Sequence, residues 1–491
     1  MSHSTRHKRR RSRSNDRFDT QMIANGVLLI LFALLAGIAS YTMYAHNILA
    51  FRHVNVIYTA VLVVVFLVCL LLTLFKKGKH LVTVLLVLFS IVVGVSLFAF
   101  KSLVDVADNI NKTASYSEIE MKVVVPANSS ISDVSELTNV QAPTSADESN
   151  INALIANIKS EKGVELTVDP VDSYQSAYEN LINGSSQAMV LNSSYSSLLE
   201  LSYNDYESNL KTIYTYKIKK AIEDTAKTTD KNVFNIYISG IDTSGAVSTV
   251  SRSDVNLILT VNMNTHKILM TTTPRDSYVR IPDGGADQYD KLTHAGIYGI
   301  ETSVKTLENI YDIPINYYAR LNFTSFVKLI NALGGVTVYN DQAFTSLHGN
   351  YNFGVGNINL TSGEEALGFV RERYSLEHGD YDRGNNQLKV IQAIVEKLTS
   401  FQSVSNYSDV ISTLQDSIQT NMPLNTMMSL VNEQLDSGKT FIFSSQEVTG
   451  TGSTGQLTSY AMPNASLYMI QLDDASVAKA SQAIKNVMEG K

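Results

Sequence analysis

Residues 20–100 are almost continuously apolar, and this divides the chain before any other property is considered. Three apolar runs lie at about 22–45, 54–75 and 81–100. Each approaches the roughly 20 residues that a helix needs to cross about 30 Å of hydrocarbon. None carries an ionisable side chain in its central portion. A single run of this kind fits a buried core helix, but three in succession do not. A cleavable signal peptide is one shorter run and is not followed by two more. The sequence therefore predicts a basic arm over residues 1–21 and three membrane-spanning helices within 22–101.

Lysine and arginine set the orientation. The arm reads His7-Lys8-Arg9-Arg10-Arg11-Ser12-Arg13, and the second short loop Lys76-Lys77-Gly78-Lys79-His80, whereas the first loop has only Arg52. With positive charge inside, the N-terminus and second loop are expected in the cytoplasm and residues from about 101 onward outside. The arm is read as a topogenic segment that also touches anionic lipid. A docking site for nucleic acid or a cytoplasmic partner is the alternative.

The exterior part is acidic. Residues 102–491 hold 27 of the 39 Lys and Arg and 44 of the 46 Asp and Glu, a net charge of −17. Such a body repels nucleic acid and other polyanions, so an anion site within it needs locally gathered arginine or a metal. The one cysteine, Cys69, lies in an apolar run. That excludes an intrachain disulfide and fits a small buried side chain better than a zinc ligand or thiol nucleophile.

Residues 102–120 read as a polar connector. Short strands then alternate with helices: strands near 121–126, 164–168, 188–191 and 211–218, helices near 150–162 and 173–182. This predicts a small α/β accessory domain over 110–218, a spacer or binding module with no cluster of catalytic residue types. A charged linker is expected over 219–231. A mixed α/β domain follows, with its core over 232–400 and a C-terminal part over 401–491. Its strands are expected near 233–241, 255–261 and 267–273, the last two joined by a hairpin at 262–266. Helices are expected near 295–311, 323–333 and 382–398, with a final one at 474–489. Ser362 with Glu365 forms a capping-box pattern.

Four arginines stand beside glycine, proline or aspartate rather than on a regular surface face. Arg275 follows Pro274 after a strand, Arg371 and Arg373 bracket Glu372, and Arg383 opens a helix with Gln387 one turn on. The guanidinium fork binds phosphate oxygens in pairs and stays charged. Four of them in an acidic domain point to a strongly anionic ligand, against the blander reading of salt bridges to Asp276, Glu372 or Asp380. Asp242 closes one strand run and Asp254 lies just before the next, and a carboxylate pair beside a diphosphate can hold Mg²⁺. Turn chemistry is the blander account of Asp242, and from spacing alone it is the preferred one. His294, in Asp290-Lys291-Leu292-Thr293-His294, invites a catalytic reading, but a helix start capped by Thr293 is the simpler one. No Gly-x-Ser-x-Gly, P-loop or His-Glu-x-x-His motif is present.

At these residues the chain resembles the LytR–CpsA–Psr family, most closely its CpsA-type capsule members. The likeness covers about 232–400. It rests on the order and spacing of Gly240-Ile241-Asp242, Arg252-Ser253-Asp254, Pro274-Arg275-Asp276-Ser277-Tyr278, Asp290-Lys291-Leu292-Thr293-His294-Ala295, Asn322-Phe323, Leu333-Gly334-Gly335-Val336, Gly363-Glu364-Glu365-Ala366-Leu367, Arg371-Glu372-Arg373 and Asp382-Arg383 with Gln387. CpsA-type members also share three membrane spans and an extra domain before the core. The resemblance implies a membrane-bound, Mg²⁺-dependent phosphotransferase. It would move capsular polysaccharide or a related glycopolymer from an undecaprenyl-diphosphate carrier to a peptidoglycan sugar hydroxyl, leaving a phosphodiester.

Carried over by motif, Arg275, Arg371, Arg373, Arg383 and Gln387 would grip the diphosphate, and Asp242 and Asp254 would hold Mg²⁺. The lipid would enter an apolar cleft between the central sheet and its helices. Implied partners are the lipid-linked glycan, peptidoglycan, the bilayer and membrane proteins of capsule assembly. The chain departs from the family in Ser253 and Val255, where Arg-Thr-Asp-Thr is common, and in Thr293, where Asn is common. Asp276 and Asp382 are candidate proton acceptors by position only. A polyprenyl-diphosphate pyrophosphatase using the same site, and a regulator acting through the basic arm, are the competing functions.

Overall fold

A computed structural model describes residues 20–203, 205–222, 232–241, 247–400, 410, 413 and 418–491, with the side chain of Asp380 excepted. The chain divides into two compact units between Val104 and Asp105.

The first unit is helical: α1 (Thr20–Ala45), α2 (Val54–Leu74) and the start of α3 (Lys79–Ala114). These are three helices long and apolar enough to cross a membrane. Phe32, Ala39, Leu62, Cys69, Val82 and Leu86 interlock in the interior, while Ile30, Leu34, Val64, Leu71 and Val84 remain exposed. An all-round apolar helix with an apolar outer face suits lipid, not water. The buried polar side chain Asn25 is fully engaged. Its Nδ2 donates to the Lys79 carbonyl at 3.0 Å, and its Oδ1 accepts from Thr83 Oγ1 at 2.6 Å. An unsatisfied amide there would cost several kcal/mol in hydrocarbon, on the order of that for any orphan polar group.

The second unit begins differently from the sequence expectation. Residues 102–120 are not a polar connector: α3 continues to Ala114, and β1 (Tyr116–Pro126) starts directly after it. The acidic and basic side chains in this stretch sit on the exposed face, while Val106, Ala107 and Ile110 are buried. β2 (Asn139–Ala142), α4 (Thr144–Lys162), β3 (Thr167–Pro170), α5 (Tyr174–Ile182), β4 (Met189–Asn192), α6 (Ser196–Ser202) and β5 (Leu210–Ala221) complete a five-stranded sheet of order β3-β2-β4-β1-β5. The period of two in β1 sends Met121, Val123 and Val125 onto Ile151, Leu154 and Ile158 of α4. Val124 faces the other way, onto Tyr174, Tyr178 and Leu198. That second cluster continues into Ile297, Ala461 and Met462, so the accessory sheet shares a core with the domain that follows. The expected linker at 219–231 is partly strand, since β5 includes residues 219–221. Residues 223–231 lie outside the described residues.

The larger domain runs β6 (Val233–Ile241), β7 (Ser253–Asn262), β8 (Lys267–Thr272), β9 (Tyr278–Ile281), β10 (Gln288–Lys291), α7 (Ile300–Tyr311), β11 (Tyr317–Leu321) and α8 (Phe323–Ala332). It continues with β12 (Val336–Asn340), β13 (Phe344–Thr345), β14 (Asn352–Phe353), β15 (Gly356–Leu360), α9 (Gly363–Arg371), α10 (Asp380–Thr399), β16 (Ile418–Thr420), α11 (Leu424–Ser437), β17 (Ile442–Glu447), β18 (Gly450–Thr454), β19 (Tyr468–Leu472) and α12 (Asp474–Met488). The central sheet has the order β16-β11-β6-β7-β8-β17. β11 is parallel to β6 and β17 to β8, and the other pairs are antiparallel. A division at residue 400 is therefore not structural, because β16 and β17 form both edges of the core sheet.

Alternation along β7 fixes the layers. Ile258 joins Val304, Leu307 and Ile484 of α7 and α12 on one face. Leu257 and Leu259 join Leu388, Ile391 and Val395 of α10 on the other. Each such leucine, fully buried, contributes about 1.5–3 kcal/mol of transfer free energy. The result is a three-layer α/β/α body. On the α10 side, α8 and α9 cross closely at Gly363, where an added Cβ would lie 2.3 Å from the Val327 carbonyl oxygen. Gly363→Ala is expected to cost about 1–3 kcal/mol through backbone displacement. A thermal melt of the full chain in detergent reads this as a lowered midpoint, and an unchanged midpoint contradicts the close crossing.

Candidate active site

Between the central sheet and α8, α9 and α10 lies a cavity of about 620 Å³. Its body is apolar, walled by side chains such as Ile238, Leu259, Phe326, Leu329, Ile394 and Leu398. Its mouth carries Asp254, Arg275, Arg371, Arg373, Arg383 and Gln387. The polar-to-apolar gradient follows from local sequence. On α10, residues 383, 387, 391, 394 and 398 recur at helical spacing and form one stripe. The stripe starts as Arg383 and Gln387 and ends as Ile391, Ile394 and Leu398. On β7 the lining runs from Asp254, at a register irregularity, through Val255 to Leu259. Gly240 is required beside them: a Cβ there would sit 2.8 Å from Val255 Cγ2.

Six of the seven sequence-predicted site residues thus line one cavity. The seventh, Asp242, lies outside the described residues.

Arg275 Nη1 donates to Asp254 Oδ2 at 2.6 Å, and Thr293 Oγ1 donates to Asp254 Oδ1 at 3.2 Å. The expectation that Thr293 caps a helix is therefore corrected. Residues 292–298 form a 3₁₀ segment without a side-chain cap, and α7 starts only at Ile300. The Thr293 hydroxyl instead orients the Asp254 carboxylate. Arg371 lies 4.3 Å over the Phe323 ring, and Arg373 lies 4.5 Å over Tyr374 and donates to its hydroxyl. Among the described residues neither Arg371 nor Arg373 forms an ion pair. Glu372, between them, is buried and spends its oxygens on the backbone. Oε2 accepts from Leu347 N at 2.6 Å, and Oε1 from Arg373 N and Ser375 N, each at 2.9 Å. Burial would raise this carboxyl, but those amides hold it below the usual range. Gln387 Nε2 donates to the Val370 carbonyl at 3.3 Å, which ties α10 to the end of α9. The positive end of the α10 dipole adds to the potential at the mouth.

Other candidates from the sequence are structural. His294 is fully buried, with Nδ1 2.8 Å from Asp290 Oδ1. Asp290 also accepts from Ser459 Oγ and Ala461 N, pinning the 459–462 segment. Asp276 is buried and lies 2.7 Å from Lys291 Nζ. Burial works against its ionisation, yet Lys291, Arg275 and Arg383 hold its carboxyl below the ordinary range. Asp382 accepts from His378 N and Gln342 Nε2 and is likewise lowered despite burial. Both are poor proton acceptors.

Sequence reasoning missed Lys291 and the buried Arg252 as parts of the site. It also missed Leu201, which reaches the mouth from α6 of the accessory sheet. Leu201 further borders a side trough with Arg373, Tyr374 and Tyr468. No local signal marks a leucine 74 residues before Arg275 as its neighbour.

For a metal, the described residues hold no group of three or more His, Cys, Asp or Glu. Among the described residues, Asp254 is the one carboxylate lining this cavity, an oxygen donor beside the arginine cluster. That fits Mg²⁺, which takes one or two carboxylates and completes its shell with water and substrate phosphate.

Removing Lys291 takes the nearest partner from a buried carboxylate, leaving Arg275 at 3.8 Å. Lys291→Ala is expected to cost about 3 kcal/mol at neutral pH. Asp276 is depressed when folded, so its contribution is present above its unfolded pKa and lost as pH falls. The wild-type-to-mutant gap in melting midpoint should therefore narrow on acidification, and a constant gap refutes the assignment.

The model of the LytR_cpsA_psr family matches residues 200–476. A second model, DNA polymerase processivity factor, matches 76–191, a minor share of the chain that takes in the whole of the apolar helix α3. The protein from Enterococcus faecalis named polyisoprenyl-teichoic acid–peptidoglycan teichoic acid transferase TagU is 33% identical over 282 residues, 56% of this chain and 87% of that protein. The TagU protein of Oceanobacillus iheyensis is 35% identical over 232 residues, 46% of this chain and 69% of its own. Among solved structures, that of B. subtilis TagU is 28% identical and covers 53% of this chain and 98% of its own at a TM-score of 0.41. By the extent of the family match and of the relatives' lengths covered, this chain belongs to the LytR_cpsA_psr family.

Proposed function

We propose that the chain transfers a glycopolymer from a membrane-bound polyprenyl-diphosphate carrier to a sugar hydroxyl of peptidoglycan, leaving a phosphodiester. The single observation that carries this reading is the continuity of an apolar cavity with a mouth of arginines. A long-chain lipid diphosphate has that same division, an apolar tail joined to a dense anion. Relatives named as polyisoprenyl-teichoic acid–peptidoglycan teichoic acid transferases support the reaction class. The polymer is capsular polysaccharide or a related glycopolymer, a choice that rests on the CpsA-type resemblance.

In this reading the lipid lies along Ile238, Leu259, Phe326, Ile394 and Leu398, and the diphosphate sits at the mouth. Arg371 and Arg373, held by the Glu372-capped loop, offer their forks to the non-bridging oxygens. Arg275 and Arg383 stabilise charge on the leaving lipid phosphate. Gln387 donates an amide N–H. Asp254, with Asp242, would hold Mg²⁺, which supplies charge neutralisation across the diphosphate. In phosphoryl transfer the protein contributes chiefly this positioning and electrostatic stabilisation. The glycan leaves the mouth along the trough of Arg373, Tyr374 and Tyr468. The N-terminus lies in the cytoplasm and the second unit outside, where peptidoglycan is found.

The test uses the full chain in vesicles with a lipid-diphosphate-linked oligosaccharide, Mg²⁺ and peptidoglycan fragments. Arg371→Ala and Arg373→Ala are each expected to lower adduct formation by about 10²–10³-fold. Their melting midpoints should hold, because both side chains are exposed and outside any ion pair among the described residues. Variants that unfold, or that transfer at the wild-type rate, contradict the assignment. Release of glycan phosphate without an adduct would identify a pyrophosphatase instead.

A further inference from the structure

Helix α10 lies across the sheet with a cavity on each side. The larger is the apolar cavity of about 620 Å³; the smaller, of about 430 Å³, lies toward β8 and β17. They share the ridge Arg383, Gln387 and Ile391 and the floor of Asp254, Val255 and Arg275. The smaller cavity is polar in a different way from the first. Thr272, Thr273 and Thr449 line it with hydroxyls, and one further carboxylate opens into it, Glu447 at the end of β17.

A transfer reaction needs two approaches to one phosphorus, the leaving group on one side and the incoming hydroxyl on the other. Two cavities meeting at one arginine ridge provide them. Resting on the transferase reading, we propose that the smaller cavity admits the acceptor sugar and that the Glu447 carboxylate takes the proton from its attacking hydroxyl. The acceptor oxygen then forms a bond to the glycan-side phosphorus. The bond from that phosphorus to the bridging oxygen breaks, and its electron pair leaves on the lipid monophosphate. The one proton released passes from Glu447 to solvent.

Glu447 differs from the described aspartates that line or flank the ridge. Asp254 is paired with Arg275, Asp276 with Lys291, and Asp382 accepts from Gln342 and His378. Glu447 makes no side-chain hydrogen bond or ion pair among the described residues, and its Oε1 faces the side of α10 at Gly384. A Cβ on Gly384 would come 3.8 Å from that oxygen, an ordinary contact, and Glu447 itself lines the cavity. Burial alone pushes its carboxyl up to about 7. A base works best when its pKa lies near the working pH. The other titratable and charged groups around the cavity are Asp254 from the sheet, Arg275 from the loop after β8, His378, Tyr381 and Arg383 from the α10 side, and Tyr468 from β19.

The experiment compares wild type and Glu447→Gln, full-length in vesicles, over pH 5.5–8.5 (about the physiological range in which such a group titrates). Transfer to peptidoglycan fragments, the donor KM and the melting midpoint are recorded. The wild-type rate should rise with an acidic limb near pH 7. Glu447→Gln should transfer about 10²–10⁴-fold more slowly and lack that limb. Its donor KM should stay within about twofold, and its melting midpoint at pH 8 should not fall. The sign follows from the raised pKa. The protonated carboxyl's contribution to stability is present below the unfolded value and lost as pH rises through about 7, so a neutral amide is not penalised at pH 8. A Glu447→Gln chain that keeps both rate and limb overturns the inference and moves the proton acceptor elsewhere, His378 first. A loss expressed wholly in donor KM also overturns it. A wild-type chain that forms no adduct overturns the transferase reading and this inference with it, whereas an active wild type with an unaffected variant overturns the inference alone.

Discussion

Glu372 is the side chain on which the arrangement of the mouth depends. Flanked by two arginines, it would pair with either of them on a solvated surface. Instead it is buried and accepts three backbone amides from residues 347, 373 and 375. The loop after α9 is thereby fixed, and Arg371 and Arg373 are left to rest over Phe323 and Tyr374. A domain with a large acidic excess can hold an anion site only if its carboxylates are occupied elsewhere. Asp290 on the 459–462 segment and Asp276 on Lys291 follow the same pattern.

The second constraint is the direction of α10. Its first turns carry charge and amide, and its later turns carry isoleucine, valine and leucine on the same stripe. Laid over the sheet, that stripe makes one cavity whose two ends differ in chemistry. The same helix also divides the sheet face, so Gly384 and Leu388 look into a second space while Ile394 and Leu398 look into the first. In the proposed function, recognition follows from one amphipathic gradient running lengthwise along a helix rather than around it.

Much of this was legible in the sequence because the relevant signals are local. Runs of about 20 apolar residues declare membrane helices, and glycine, proline and aspartate beside arginine declare loops that present charge. The clustering of Asp254, Arg275, Arg371, Arg373, Arg383 and Gln387 was expected from motif order, and they line one cavity. Less legible were features set by tertiary contact. Residues 102–114 look polar in one dimension, but their apolar positions lie on one helix face. Thr293 has the composition of a cap and the position of a carboxylate's partner. Glu447, in Gln446-Glu447-Val448, reads as an ordinary strand-end surface residue until β17 is placed beside β8. Leu201 reaches the mouth only because the accessory sheet shares a core with the larger domain.

The central claim is that one cavity recognises both halves of a lipid diphosphate. The most direct measurement is the affinity of the full chain for three ligands: a long-chain polyprenyl diphosphate, the corresponding polyprenyl alcohol, and inorganic pyrophosphate. The account predicts that the intact lipid diphosphate binds far more tightly than either half, since apolar burial and guanidinium contacts then act in one molecule. Pyrophosphate binding as tightly as the lipid diphosphate would contradict it, because the apolar cavity would then take no part in recognition.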